Sequence, residues 1–217
     1  MKHWNSFRTT TQSVGNTLPL LAEPCLKRMH GAVVSNALAL DERIVGGTPM
    51  YFNISDRTVK FLKLWKVKTV VDDGTNYVIT LVKNSISPVL KAGLVIMLMP
   101  ATVNGTGKAV VCGTVTDGTN TYSITVAKAG FDAVEAGDYI VESSSATAGS
   151  GKSIYCEPNS ISTEDTIGGD ITLVDVPRGV LYMYKNTLPD CPEIVLTAIQ
   201  NGGDLKIVWE MFNEILS

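Results

Sequence analysis

The feature that most constrains this chain is a cassette used twice, about 44 residues apart. Asp73-Gly74-Thr75-Asn76 leads into Tyr77, Ile79 and Thr80, and Ala92-Gly93 follows. Asp117-Gly118-Thr119-Asn120 leads into Tyr122, Ile124 and Thr125, and Ala136-Gly137 follows. Gly and Asn tolerate the positive φ of tight turns, and Tyr-x-Ile-Thr has the chemistry of a strand. Each cassette therefore reads as hairpin, strand, turn, strand. Turn-punctuated strands point to a structural or binding module rather than a metabolic enzyme.

Further strands are expected at Thr48 to Phe52, Thr58 to Val71, Tyr77 to Val82, Leu94 to Met99, Ala109 to Val115, Tyr122 to Val126 and Tyr139 to Ser143, and again at Ile171 to Val176 and Val180 to Tyr184. Their spacing with Gly or Asn between them argues a mainly β protein, an antiparallel barrel or sandwich. A short helix is expected after Pro192, with Ile194, Val195, Ala198 and Ile199 on one face. Asp190 and Glu193 resemble a capping box, and Asn201-Gly202-Gly203 stops the helix before a last apolar strand, Leu205 to Met211. Three regions follow: an extended arm over 1–43, a β domain over 44–186, and a helix–strand element over 187–217. Within the arm, Val33 to Leu40 reads equally as a short strand or a helix. Prolines and the lack of a sustained period mean the arm must find a surface to bind, through Trp4, Phe7, Leu18, Leu20 and Leu21.

Charge is uneven along the chain. Residues 1–129 hold 14 Lys and Arg against 7 Asp and Glu, whereas residues 130–217 hold 4 against 14. That suggests an acidic partner for one end, head-to-tail packing of subunits, or two solvated surfaces of opposite sign. The basic run Arg57, Lys60, Lys63, Lys66, Lys68 surrounds Phe61 and Trp65, but its spacing fits neither one strand face nor one helix face, so a solvated barrel wall is expected rather than nucleic-acid binding. No apolar run is long enough to cross a bilayer and the N-terminus lacks the form of a signal peptide, so the expectation is a chain made and kept in a cytoplasm, with no membrane partner. Cys25, Cys112, Cys156 and Cys191 are scattered and should be free thiols; with His3 and His30 they offer no metal-ligand spacing.

Three enzyme-like motifs fail on context. Ala146 to Ser153, ending in Gly151-Lys152-Ser153, mimics a relaxed phosphate loop, but a strand follows where a helix N-terminus is needed to hold phosphate. Arg43-Ile44-Val45-Gly46-Gly47 mimics a protease activation site, yet both histidines lie upstream of it. Glu164-Asp165 are neighbours that would point to opposite faces of a strand. No catalytic residue, cofactor or metal ligand is therefore assigned.

Taken in order, three stretches resemble the phage head fibre proteins, capsid-surface proteins of Bacteroides-type phages and prophages. They are Val45 to Met50 with Asp56-Arg57-Thr58-Val59; Ile154 to Ile161 with Glu164-Asp165-Thr166; and Val176 to Tyr182, followed by Leu188-Pro189 and Pro192-Glu193. The resemblance covers residues 44–212. It implies a non-enzymatic virion protein on the outer capsid surface, made in the bacterial cytoplasm, partnered by the major capsid protein and self-associated as a homotrimer. The apolar faces Ile194 to Ile199 and Leu205 to Met211 offer surface for that association. The alternative is a carbohydrate-binding β module with a glycan partner, for which Trp4, Trp65 and Trp209 supply no clear cluster of rings.

Overall fold

The computed structural model describes residues 27–35, 38, 42–168, 173–184, 190–202 and 205–210. The chain begins β1 (Lys27–Val34), β2 (Arg43–Ile44), β3 (Pro49–Asn53), β4 (Thr58–Phe61), β5 (Leu64–Asp72), β6 (Asn76–Val82), β7 (Val95–Leu98) and β8 (Thr106–Val111). It continues through β9 (Val115–Asp117), β10 (Thr121–Ala127), β11 (Tyr139–Glu142), β12 (Gly149–Ser153), β13 (Ser160–Ile161), β14 (Thr166–Ile167) and β15 (Leu173–Tyr184). The chain closes with α1 (Glu193–Asn201) and β16 (Leu205–Glu210). The protein is mainly β, as its turn spacing implies.

One 8-stranded sheet runs in the order β12-β8-β7-β11-β5-β6-β10-β9, antiparallel throughout. The sheet curls round on itself, because β8 and β9 follow one another along the chain yet lie near opposite ends of this order. β8 pairs with β7, β9 pairs with β10, and between them the Cys112 amide donates to Leu94 O at 2.7 Å while Gly93 N donates to Cys112 O at 2.8 Å. The result is a nearly closed barrel, with β12 as an extra strand on β8.

This barrel is the duplicated cassette folded against itself. Ile79 stands directly opposite Ile124 in the β6–β10 ladder, and Met97 opposite Val141 in the β7–β11 ladder. A local twofold axis through those pairs relates the two copies, and the other pairings among β5 to β11 obey it, whereas β12 on β8 has no counterpart. Asp72↔Tyr77 matches Asp117↔Tyr122, and Trp65↔Ile140 matches Val110↔Ile96. The hydrogen bonds obey it too: Val67 N donates to Asp138 O at 2.8 Å and Gly137 N to Val67 O at 2.9 Å, mirroring those around Cys112. Even the rim ion pairs are doubled. Lys83 pairs with Asp117 and lies 4.9 Å from the Tyr122 ring, and Lys128 pairs with Asp72 and lies 5.3 Å from the Tyr77 ring. At the second turns, Gly93 (φ 89°) and Gly137 (φ 98°) hold a conformation that side chains with a Cβ disfavour.

Strand alternation fills the interior. Trp65, Val67, Tyr77, Ile79, Leu81, Ile96, Tyr122, Ile124, Val126, Phe131 and Ile140 form one core. The next residues along β5, β7 and β11 (Leu64, Val95, Met97 and Val141) face outward into a second core with Ala109 of β8, Val195 and Ile199 of α1 and Leu205 of β16. One wall of the barrel is thus buried on both faces, while β6 and β10 bury every second residue and expose the other face in part.

The second layer is a 6-stranded sheet, β13-β3-β4-β1-β15-β16, with a third core of Ala32, Ile44, Met50, Phe52, Val59, Phe61, Val174 and Val176. It is mixed: β1 runs parallel to β4 and β15 runs parallel to β16, with α1 as the crossover. Three expectations change here. Residues 27–34, assigned to the arm, form a strand between β4 and β15, with a register shift between Met29 and Ala32 where Gly31 takes φ 72°. Thr58 to Val71 is two strands, because the chain leaves the sheet for the barrel at Leu62-Lys63. The two strands expected at Ile171 to Val176 and Val180 to Tyr184 are, over the described residues, one strand, Leu173–Tyr184, that changes partner from β1 to β16 at Arg178-Gly179. The proposed capping box does not form either: α1 has Pro192 as N-cap with no side-chain cap, and Asp190 faces Lys66 at 3.5 Å.

Candidate functional site at the barrel–sheet junction

The chain crosses from sheet to barrel at Lys63, and charge is buried there. Lys63 is 4% exposed at its side chain and donates to Glu42 Oε1 at 2.6 Å; Glu42 is 3% exposed. Lys91, in the turn before β7, reaches Glu42 Oε2 at 3.3 Å. Glu142, at the end of β11, bonds the crossing segment through its amide to Lys63 O at 3.3 Å. Burial pushes the Glu142 carboxyl above the usual glutamate range; Lys63 opposes that shift and Glu42 adds to it. Two carboxyls and two ammonium groups from four segments therefore meet where barrel and sheet join. A buried charge is tolerated only when paired, so removing one member leaves its partner costly.

Beside this cluster, the residues that carry the family resemblance act as staples. Asp165 pairs with Arg43 and accepts from Gly46 N at 2.9 Å, which fixes the turn into β3. Thr48 N and Oγ1 both donate to Val45 O, and Gly47 N donates to Ser162 O at 2.7 Å. Asn159 uses its side-chain amide as a strand would use its backbone: Phe52 N donates to Oδ1 at 2.8 Å and Nδ2 donates to Phe52 O at 3.0 Å. A Cβ at Gly202 would stand 2.8 Å from Asn159 Cβ, so the end of α1 is seated on the same residue.

The other residues singled out by sequence fall as follows. Trp4, Phe7, Leu18, Leu20, Leu21 and Cys25 lie outside the described residues, as does Met211. Glu164 is exposed in the bend before β14 while Asp165 is engaged as above, so the two do not share a site. Residues 149–153 form β12 against β8, and Ser153 leads into a bridge between Ile154 and Ser143 rather than a helix. Of the basic run, Lys60 lies 6.0 Å from the Tyr155 ring and Lys66 is half-exposed beside Asp190, whereas Lys63 is buried, which corrects the expectation of a fully solvated wall. Trp65 is 1% exposed and its Nε1 donates to Pro88 O at 2.9 Å, leaving no ring face for a sugar. A cleft of about 20 Å³ beside it, bordered by Lys66 and Asp190, has room for one water. Cys112 and Cys156 are buried free thiols; burial pushes Cys156 up to about 12.

Sequence reasoning missed Glu42, Lys91 and Glu142. The only available signal was the duplication itself: Glu142 stands where the other copy has Leu98, and Lys91 where it has Glu135. The charge asymmetry also closes partly inside the molecule, since Arg43–Asp165 and Lys66–Asp190 join early bases to late acids. The apolar face of α1 is likewise used within the chain: Val195 and Ile199 are 0% exposed and Leu205 is 2% exposed. Comparison with family models, curated proteins and solved structures gives no match.

Proposed function

We propose that this chain is a non-enzymatic structural protein of a tailed-phage virion, a head fibre or decoration protein held on the outer capsid surface. The observation that carries the reading is convergence. The three stretches that resemble the family are dispersed in sequence, yet they supply β3, β4, β13 and β15 of one sheet and the staples that seat α1 on it. Residues scattered in sequence but joined in one framework are what a shared fold, rather than chance, would retain.

In this reading the barrel projects outward and residues 1–26 anchor the protein to the major capsid protein through Trp4, Phe7, Leu18, Leu20 and Leu21. The assembly is a homotrimer built on surface other than the inner face of α1. The test is a deletion of residues 1–26; a cut at residue 40 would also remove β1 from between its two partners. The shortened protein is expected to fold, by circular dichroism and melting, and to lose its place on capsid shells viewed by electron microscopy. Normal decoration by the shortened protein would overturn the anchor. On the same samples, light scattering should report a trimer for the full-length chain, and a monomer at high micromolar concentration would reject that assembly.

A further inference from the structure

Glu142 is the member of the junction whose chemistry the fold leaves open. Its Oε2 is buried and accepts no hydrogen bond among the described residues. Lys63, the cation that bears on it, is already held by Glu42 at 2.6 Å. The groups that face this place come from every segment packed around it. Lys63 comes from the crossing between β4 and β5, Glu42 from the segment before β2, Lys91 from the turn before β7, and Tyr155 and Cys156 from the segment after β12. The barrel itself does not need a carboxyl there, because its other copy has Leu98 at the equivalent position.

We propose that Glu142 is the proton-holding member of a pH-operated latch between barrel and sheet. With its proton on, Glu142 is neutral, and Glu42 keeps both Lys63 and Lys91. With its proton off, a second carboxylate competes for Lys63 and repels Glu42, so the contact that ties the segment before β2 to the barrel is weakened.

Burial favours the neutral form of Glu142, so the folded chain holds this proton to higher pH than the unfolded chain does. Between the ordinary glutamate value and the raised one, the folded state binds more protons than the unfolded state, and stability falls as pH rises through that window. The contribution is fully present below the ordinary value and is lost above the raised one.

The test is thermal unfolding of the full chain and of Glu142→Gln, from mildly acidic to neutral pH. The amide stays uncharged throughout. The two midpoints should coincide to within a constant at the acid end and separate as pH rises, with the variant several degrees higher at neutral pH. A gap that does not change with pH would mean a merely structural role and would overturn the latch. If the amide variant does not fold, Glu142→Leu, which copies Leu98, gives the same comparison. Carboxyl NMR of the unmodified chain provides a second readout: the Glu142 resonance should titrate above the ordinary glutamate midpoint, and titration at or below it would also overturn the proposal.

Discussion

The two copies of the cassette share their ladders, their second turns at Gly93 and Gly137 and their rim ion pairs, yet one of them runs a continuous strand where the other is broken. β5 spans Leu64–Asp72 with a register shift between Val67 and Thr69; its counterpart is interrupted at Cys112-Gly113-Thr114, between β8 and β9. Both irregularities fall where the strand must exchange one neighbour for another: β11 for β6 in the first copy, β7 for β10 in the second. A bulge or break bends a strand and lets a barrel turn its corner. Closure sets the position of the corner, and local sequence decides how it is made, with Lys68 in one copy and Gly113 in the other.

The copies diverge most where the barrel meets the sheet. Leu98 is replaced by Glu142, Glu135 by Lys91 and Val110 by Trp65, and only the second-named residues lie at the junction or under Pro88. What the copies share builds the barrel, and these differences, together with Lys63, attach it.

The sharpest way to break this comparison is to remove equivalent lysines. Lys63→Met should destabilise by about 3–5 kcal/mol, because it takes the buried Lys63 ammonium away from the buried Glu42 carboxylate. Lys108→Met, at the matching position of the other copy, should change stability by less than about 0.5 kcal/mol, as surface substitutions do. Urea unfolding of both variants measures the difference, and equal losses would mean that the junction charge is not a feature of one copy.

A smaller effect sharpens the symmetry. Ile79 is 0% exposed and Ile124 is 1% exposed, and they face each other at the local axis. Ile79→Val and Ile124→Val should each cost about 0.5–1.5 kcal/mol and agree with each other within that range. A loss confined to one of them, read by the same unfolding experiment, would show that the two halves of the core are not equivalent.

Much of the barrel was legible in sequence, because a hairpin followed by Tyr-x-Ile-Thr specifies turn and alternation locally. The alignment of the copies was not fully legible. The matching tetrapeptides place Asp73 with Asp117, but the ladders place Asp72 with Asp117, and the letters are shifted by one within loops of the same length. Gly74 takes φ 93° in the first loop, while Gly118 is not among the glycines of positive φ, so the two turns differ in conformation as well. The strand at 27–34 was missed because its pairing is wholly long-range and Gly31 interrupts its alternation. The junction was missed for a related reason. Glu42, Lys63, Lys91 and Glu142 share no spacing, and only the fold brings them together.

The central claim, a nearly closed barrel turned by two equivalent corners, is tested most directly by hydrogen exchange at the corner amides. Val67 N donates to Asp138 O at 2.8 Å, and Cys112 N donates to Leu94 O at 2.7 Å. If both corners are closed, these two amides should be protected to a similar degree and far more than the exposed turn at Thr119-Asn120, since protection follows the free energy of opening. Strong protection at Val67 with rapid exchange at Cys112 would mean that the ladder to β7 stops short of the second corner, and would contradict the account.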